Sequence, residues 1–136
     1  MVAQQLYEGV AVGKEGSVGL ITYMRTDSVR IADVAAADIR SYIESEFGKE
    51  FRPSHANSYS SKKNAQDAHE AIRPTSVHRT PLEMAKHLNK DQLKLYSLIW
   101  NRAVASQMAS AVFDVTTLLI GAGDYQLRAT GSVFEV

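Results

Sequence analysis

Two stretches of this chain repeat apolar residues at three- and four-residue spacing, and that periodicity dictates most of what the chain can become. Ile31, Val34, Ala35, Ile39, Tyr42, Ile43 and Phe47 share one face of a helix of about 18 residues that stops at Gly48. Leu93, Tyr96, Ile99, Trp100, Ala103, Val104 and Met108 do the same between Asp91 and Ser110. A chain with two such stripes is mostly helical. Its 136 residues leave room for one domain, or one domain plus part of another.

Shorter elements fill the rest. Val2 to Glu8 reads as the last turns of a helix closed by Gly9, with no cap residue before it. Four glycines (Gly9, Gly13, Gly16 and Gly19) punctuate a loop, and Leu20 to Arg25 is apolar and β-prone. Asp27 or Ser28 is suited to cap the first long helix. Phe51 to Lys63 is a polar loop, and Ala65 to Ile72 fits a short helix halted by Pro74. Thr80-Pro81-Leu82-Glu83 spells a capping box with proline at the first helical position. Val112 to Ile120 and Tyr125 to Ala129 read as strands joined by the four-residue loop Gly121 to Asp124, the second strand alternating as a half-buried one does. The expected class is mainly α with a C-terminal β-hairpin, an α+β chain without internal repeats. Gly131 to Val136 reads as a strand with no turn or tail after it. Both ends look cut, and a piece of a longer protein is expected.

Composition removes some functions. Fifteen Lys and Arg balance fifteen Asp and Glu. A protein that grips nucleic acid by bulk positive charge is excluded, though not one that uses a few placed cations. There is no cysteine, so disulfides and cysteine-ligated zinc are impossible here, and a reducing, intracellular setting fits. No apolar run approaches the roughly 20 residues that span a bilayer, and Met1 to Gly9 lacks the form of a signal peptide.

Chemistry concentrates in two places. Tyr23-Met24-Arg25-Thr26-Asp27-Ser28 packs a phenol, a guanidinium, two hydroxyls and a carboxylate into six residues. In an extended chain Tyr23 and Arg25 point the same way. A free phenol is only about 0.1% ionised at pH 7, and a nearby cation favours the phenolate. The same guanidinium can hold a phosphate by paired hydrogen bonds. The commoner arrangement for such residues is a half-buried core tyrosine beside an arginine paired with Asp27. The second cluster runs from Lys62 to Thr75. On a helix Gln66, His69 and Arg73 would share a face rich in donors for phosphate oxygens, or simply form a polar surface. His55 and His69 match no metal-ligand spacing. His78 and His87 read as surface residues, Tyr96 and Trp100 as core, and Gly121-Ala122-Gly123 as a turn rather than a phosphate loop.

Gly19-Leu20-Ile21-Thr22-Tyr23-Met24-Arg25-Thr26-Asp27-Ser28 resembles the active-site motif of bacterial type IA DNA topoisomerases. Ala65-Gln66-Asp67-Ala68-His69-Glu70-Ala71-Ile72-Arg73-Pro74-Thr75 resembles the family's second motif. Ala3 to Gly9, Leu95 to Arg102 and Val104 to Met108 are similar to family sequence too, so the likeness runs along nearly the whole chain. It implies an isomerase that cleaves and rejoins one DNA strand through a 5′-phosphotyrosine link, relaxing negative supercoils without a nucleotide. Tyr23 matches the nucleophile, Arg25 the residue that positions tyrosine and phosphate, and His69 a phosphate contact. Arg73 lies in the same DNA-binding motif, while Asp27 and Ser28 are expected to brace the loop and cap the helix.

Val29 stands where a small hydroxylated residue is common in the family, with little consequence expected. The resemblance further implies a winged-helix or CAP-like tyrosine domain over residues 1–111 and the start of a β-rich arch over 112–136. Mg²⁺ would be bound by a separate acidic domain, and no metal ligand is expected here. The implied partners are single-stranded or negatively supercoiled DNA and the remaining domains of the same polypeptide, in the cytoplasm and without a membrane. Alone, the chain is expected to be inactive. The competing readings are a stand-alone winged-helix DNA-binding module without catalysis and a hinge domain whose tyrosine is buried.

Overall fold

The computed structural model of the chain describes residues 1–59 and 69–135. Helix α1 (Val2–Glu8) ends at Gly9 as the sequence predicts. The glycine-punctuated loop is more ordered than expected. It is a small hairpin of β1 (Val10–Ala11) and β2 (Ser17–Val18), pairing Val10 with Val18 across a 3₁₀ turn at Gly13–Glu15.

The first long helix, α2 (Asp33–Glu46), starts later than its periodicity suggests. Its N-cap is Ala32, which offers no side-chain bond. Ser28 does not cap it, because the Ser28 hydroxyl is committed to the His69 carbonyl at 2.7 Å. Residues 27–32 therefore stay out of the helix and line the site instead.

Helix α3 (Pro81–Met84) carries the predicted box, with Thr80 and Glu83 bonding each other's backbone. Helix α4 (Lys90–Ser106) opens with a second box that the sequence reading did not use, between Asn89 and Gln92. These reciprocal bonds satisfy donors that a helix start otherwise leaves open.

The core lies where the apolar stripes meet. Leu6 of α1, Ile39 and Ile43 of α2, and Tyr96, Ala103 and Val104 of α4 are all buried. The larger aromatic side chains of α4 also tie down an irregular segment. Trp100 donates to the Val77 carbonyl at 2.9 Å and Tyr96 to the Arg79 carbonyl at 2.6 Å. Burial pushes the Tyr96 phenol well above its ordinary pKa, so it is a neutral packing residue and not a nucleophile. Buried Arg40 of α2 spends its charge on backbone, donating to the carbonyls of His55 (2.9 Å) and Pro53 (2.8 Å). Those bonds pull the polar loop after the 3₁₀ turn Lys49–Phe51 onto the helix.

The chain closes with a hairpin of β3 (Phe113–Ala122) and β4 (Tyr125–Phe134), paired from Phe113 with Phe134 to Ala122 with Tyr125. The strands are longer and the turn tighter than expected. Only Gly123 and Asp124 connect them, and Gly123 takes φ +61°, which favours glycine. The half-buried strand predicted from alternation is not found: every residue of both strands is exposed. The alternation is real, since Leu118, Ile120, Leu127 and Val133 lie on one face of the ladder, but no described residue covers that face. The class is α+β, as the periodicities indicate. Among the described residues no helix is long and apolar enough to cross a membrane.

Candidate active site

The two chemistry-bearing segments, far apart in sequence, lie antiparallel and are laced together. Ile21 bridges Pro74. The Thr22 amide donates to the Arg73 carbonyl at 2.9 Å, and the Arg73 amide returns a bond to Thr22 Oγ1 at 3.0 Å. Thr22 Oγ1 also donates to the Ala71 carbonyl at 2.8 Å. Thr75 holds the start of the segment, its amide on the Leu20 carbonyl at 3.0 Å and its hydroxyl on that of Gly19 at 2.7 Å. The Ala71 amide on the Arg30 carbonyl (2.8 Å) and the Ser28 hydroxyl on that of His69 close the other side.

The short helix predicted over Ala65 to Ile72 can be compared only over its last four residues. Residues 69–72 are not helical, because their backbone groups bond across to the first segment, and residues 65–68 lie outside the described residues. His69 and Arg73 are therefore not neighbours on a helical face, and Gln66 is likewise outside the described residues.

α1 supports the tyrosine-bearing segment from behind. The Leu20 amide donates to the Leu6 carbonyl at 2.7 Å. Gly19 must be glycine here, since a Cβ would lie 2.7 Å from the Tyr7 carbonyl oxygen. Beyond this support Tyr23 reaches into solvent. It is 57% exposed, which is not the half-buried core tyrosine that composition alone would favour. Its hydroxyl has no hydrogen bond among the described residues. Its ring meets the Tyr7 ring edge to face, with centroids 5.5 Å apart and planes at 65°.

The backbone is not extended through Tyr23, as the Arg25 amide turns back onto the Tyr23 carbonyl at 2.9 Å. Arg25 instead bonds Asp27 through Nε at 2.8 Å and faces His69 Nε2 from a terminal nitrogen at 3.2 Å. A guanidinium can only donate, so His69 Nε2 accepts in this arrangement and the neutral ring's proton sits on Nδ1. That Nδ1 is buried and unpartnered among the described residues. Arg73 is committed elsewhere. Glu70 holds it through Nε (2.9 Å) and a second nitrogen (2.7 Å), and it donates to the Pro74 carbonyl at 3.1 Å.

The lacing thus sets half-buried His69 against Arg25, two residues beyond exposed Tyr23, while Arg73 faces Glu70. An open cleft of about 360 Å³ is lined by Arg73, Tyr59 and Arg102 but not by Tyr23 or Arg25. Among the described residues no three His, Cys, Asp or Glu side chains converge to hold a metal ion. The threonines that lace the segments were not singled out from the sequence, although both belong to the motifs quoted above. Tyr7 gave no local signal, because its contact with Tyr23 exists only in three dimensions.

The family model described as DNA topoisomerase matches residues 1–135. The chain is 50% identical over 137 aligned positions to DNA topoisomerase 1 of Xylella fastidiosa (strain 9a5c), an alignment covering 99% of this chain and 17% of that protein. Its fold matches full-length topoisomerase I from Thermotoga maritima with a TM-score of 0.77 and 44% identity, over 98% of this chain and 20% of that one. It therefore spans a fifth or less of the length of these relatives.

Proposed function

The chain belongs to the family of bacterial type I DNA topoisomerases, and from that premise we propose that it carries the family's nucleophile, Tyr23. In this reading the Tyr23 hydroxyl attacks a phosphorus of a single DNA strand. The O–P bond to tyrosine forms as the bond to the leaving 3′-side deoxyribose oxygen breaks, and that oxygen leaves as a free hydroxyl. The new ester retains the energy of the phosphodiester, so the reverse attack reseals the strand without a nucleotide, and supercoils relax in between. Arg25 contacts the phosphate, and His69 does so once its Nε2 is released from Arg25; negative charge growing on the phosphate oxygens is where such donors lower a barrier. The observation that carries the reading is the lacing of the two segments, which sets an imidazole against a guanidinium two residues along the chain from an exposed phenol.

Arg73 is the remaining DNA-binding candidate. Its donors are engaged by Glu70, so a phosphate contact requires that pair to open. Mg²⁺ has no fitting donor set among the described residues, and the proposal places it on another part of a longer polypeptide. In this reading residues 1–111 form the tyrosine-bearing unit and 112–136 begin a β-rich one, a division supported by the exposure of every residue of both hairpin strands. The substrate is single-stranded or negatively supercoiled DNA, which puts the enzyme in the cytoplasm of a bacterial cell.

The test is covalent capture of labelled single-stranded DNA by the full-length polypeptide containing this chain. Tyr23→Phe is expected to abolish capture while non-covalent binding persists. Undiminished capture would sink the nucleophile assignment, and binding without any capture by the parent protein would favour a non-catalytic DNA-binding module.

A further inference from the structure

We propose that Tyr7 is a positioning residue for this reaction, holding the Tyr23 ring in its attacking orientation. The inference rests on Tyr23 being the nucleophile. Little else described in the structure steadies that side chain. It is more than half exposed, its hydroxyl is unbonded among the described residues, and Tyr7 is the aromatic side chain that touches it. An edge-to-face pair is the arrangement that ring quadrupoles favour, and it restricts how far either ring can swing.

Tyr7 can serve as a stop because its own backbone is fixed. Its neighbour Leu6 is fully buried and accepts the Leu20 amide at 2.7 Å. Gln5 accepts a bond from Gln92 of α4 at 3.0 Å. The close passage of Gly19 over the Tyr7 carbonyl sets the helix end directly against the segment that leads to Tyr23. Platform and nucleophile thus move as one piece. A nucleophile kept near its attack geometry loses less orientational freedom on reaching the transition state.

The contact belongs to the ring and not to the hydroxyl, which separates positioning from other roles. In the full-length enzyme Tyr7→Leu is expected to slow single-turnover cleavage of a labelled single-stranded oligonucleotide by roughly 2- to 10-fold, the span that an aromatic pair of ordinary strength commands. Non-covalent affinity for the same oligonucleotide should be unchanged, and Tyr7→Phe should restore the rate. Cleavage by Tyr7→Leu at the parent rate, a matching loss of affinity, or failure of Tyr7→Phe to restore the rate overturns the proposal.

Should Tyr7→Leu fail to fold, the parent enzyme with labelled tyrosine rings decides the matter. Magnetisation transfer between the Tyr7 and Tyr23 rings supports the contact, and its absence overturns it. Tyr23→Phe is measured alongside: if that variant still captures DNA, the nucleophile reading has failed, independently of whether the rings touch.

Discussion

Arg25 is engaged on two sides, by the carboxylate of Asp27 and by the imidazole of His69, and neither partner is the tyrosine it was expected to accompany. The ion pair with Asp27 is well exposed and contributes little to stability. Its consequence is orientation: with Nε on Asp27 and one terminal nitrogen on His69, the other terminal nitrogen remains for an incoming phosphate. Replacing Arg25 with Ala in the full-length enzyme is expected to slow strand cleavage on the order of 10²- to 10³-fold, the cost of losing one donor to developing charge. The rate of covalent capture under single-turnover conditions measures it, and an unchanged rate would remove Arg25 from the chemistry. The identities of Tyr23, Arg25 and His69 were legible because each sits in a long, distinctive run of residues. Their partners were not. Arg25 meets His69 across 44 positions, and no local pattern encodes which of two equally good acceptors a guanidinium will choose.

At the scale of elements, the periodic helices were the legible part, since a stripe at helical spacing has only one way to be buried. Their boundaries were less so. Ser28 has the right chemistry for an N-cap, yet it bonds His69 and leaves α2 to begin after Ala32. Residues 69–72 have acceptable helix propensity, yet pairing with Thr22 and Arg30 satisfies their backbone groups better than one isolated turn would. In both cases a long-range partner overrides a local preference. Arg40 is another such case, a charged residue on a buried face that turns out to fasten a loop. Arg40→Ala is expected to lower stability by about 2–4 kcal/mol, because carbonyls of the 53–55 loop lose the charged donors of a buried side chain. Urea denaturation of the chain reads this as a lower midpoint at unchanged slope, and an unmoved midpoint would show that the loop holds without it.

At the scale of the whole molecule, the helices form a body with a core, whereas among the described residues the C-terminal hairpin is held by its own ladder and by the Glu135 amide on the Val112 carbonyl. Removing residues 112–136 is therefore expected to change the stability of the remainder by no more than about 0.5 kcal/mol, as for surface changes that touch no buried contact. Coincident urea transitions of residues 1–111 and of the whole chain would bear this out, while a clear loss of midpoint would mean that the hairpin supports the core. The alternation in the strands was legible, but not what would cover the apolar face, because a covering partner need not lie in the same stretch of sequence. The lacing of the two motifs has a kinetic consequence as well. Its hydrogen bonds join residues 41 to 56 positions apart, so each requires a long loop to close before it can form. The helices, built from near neighbours, can precede it on the folding path. The laced segments that carry Tyr23, Arg25 and His69 are then among the last parts of the chain to assemble, and they can come undone by local opening while the helical body stays folded.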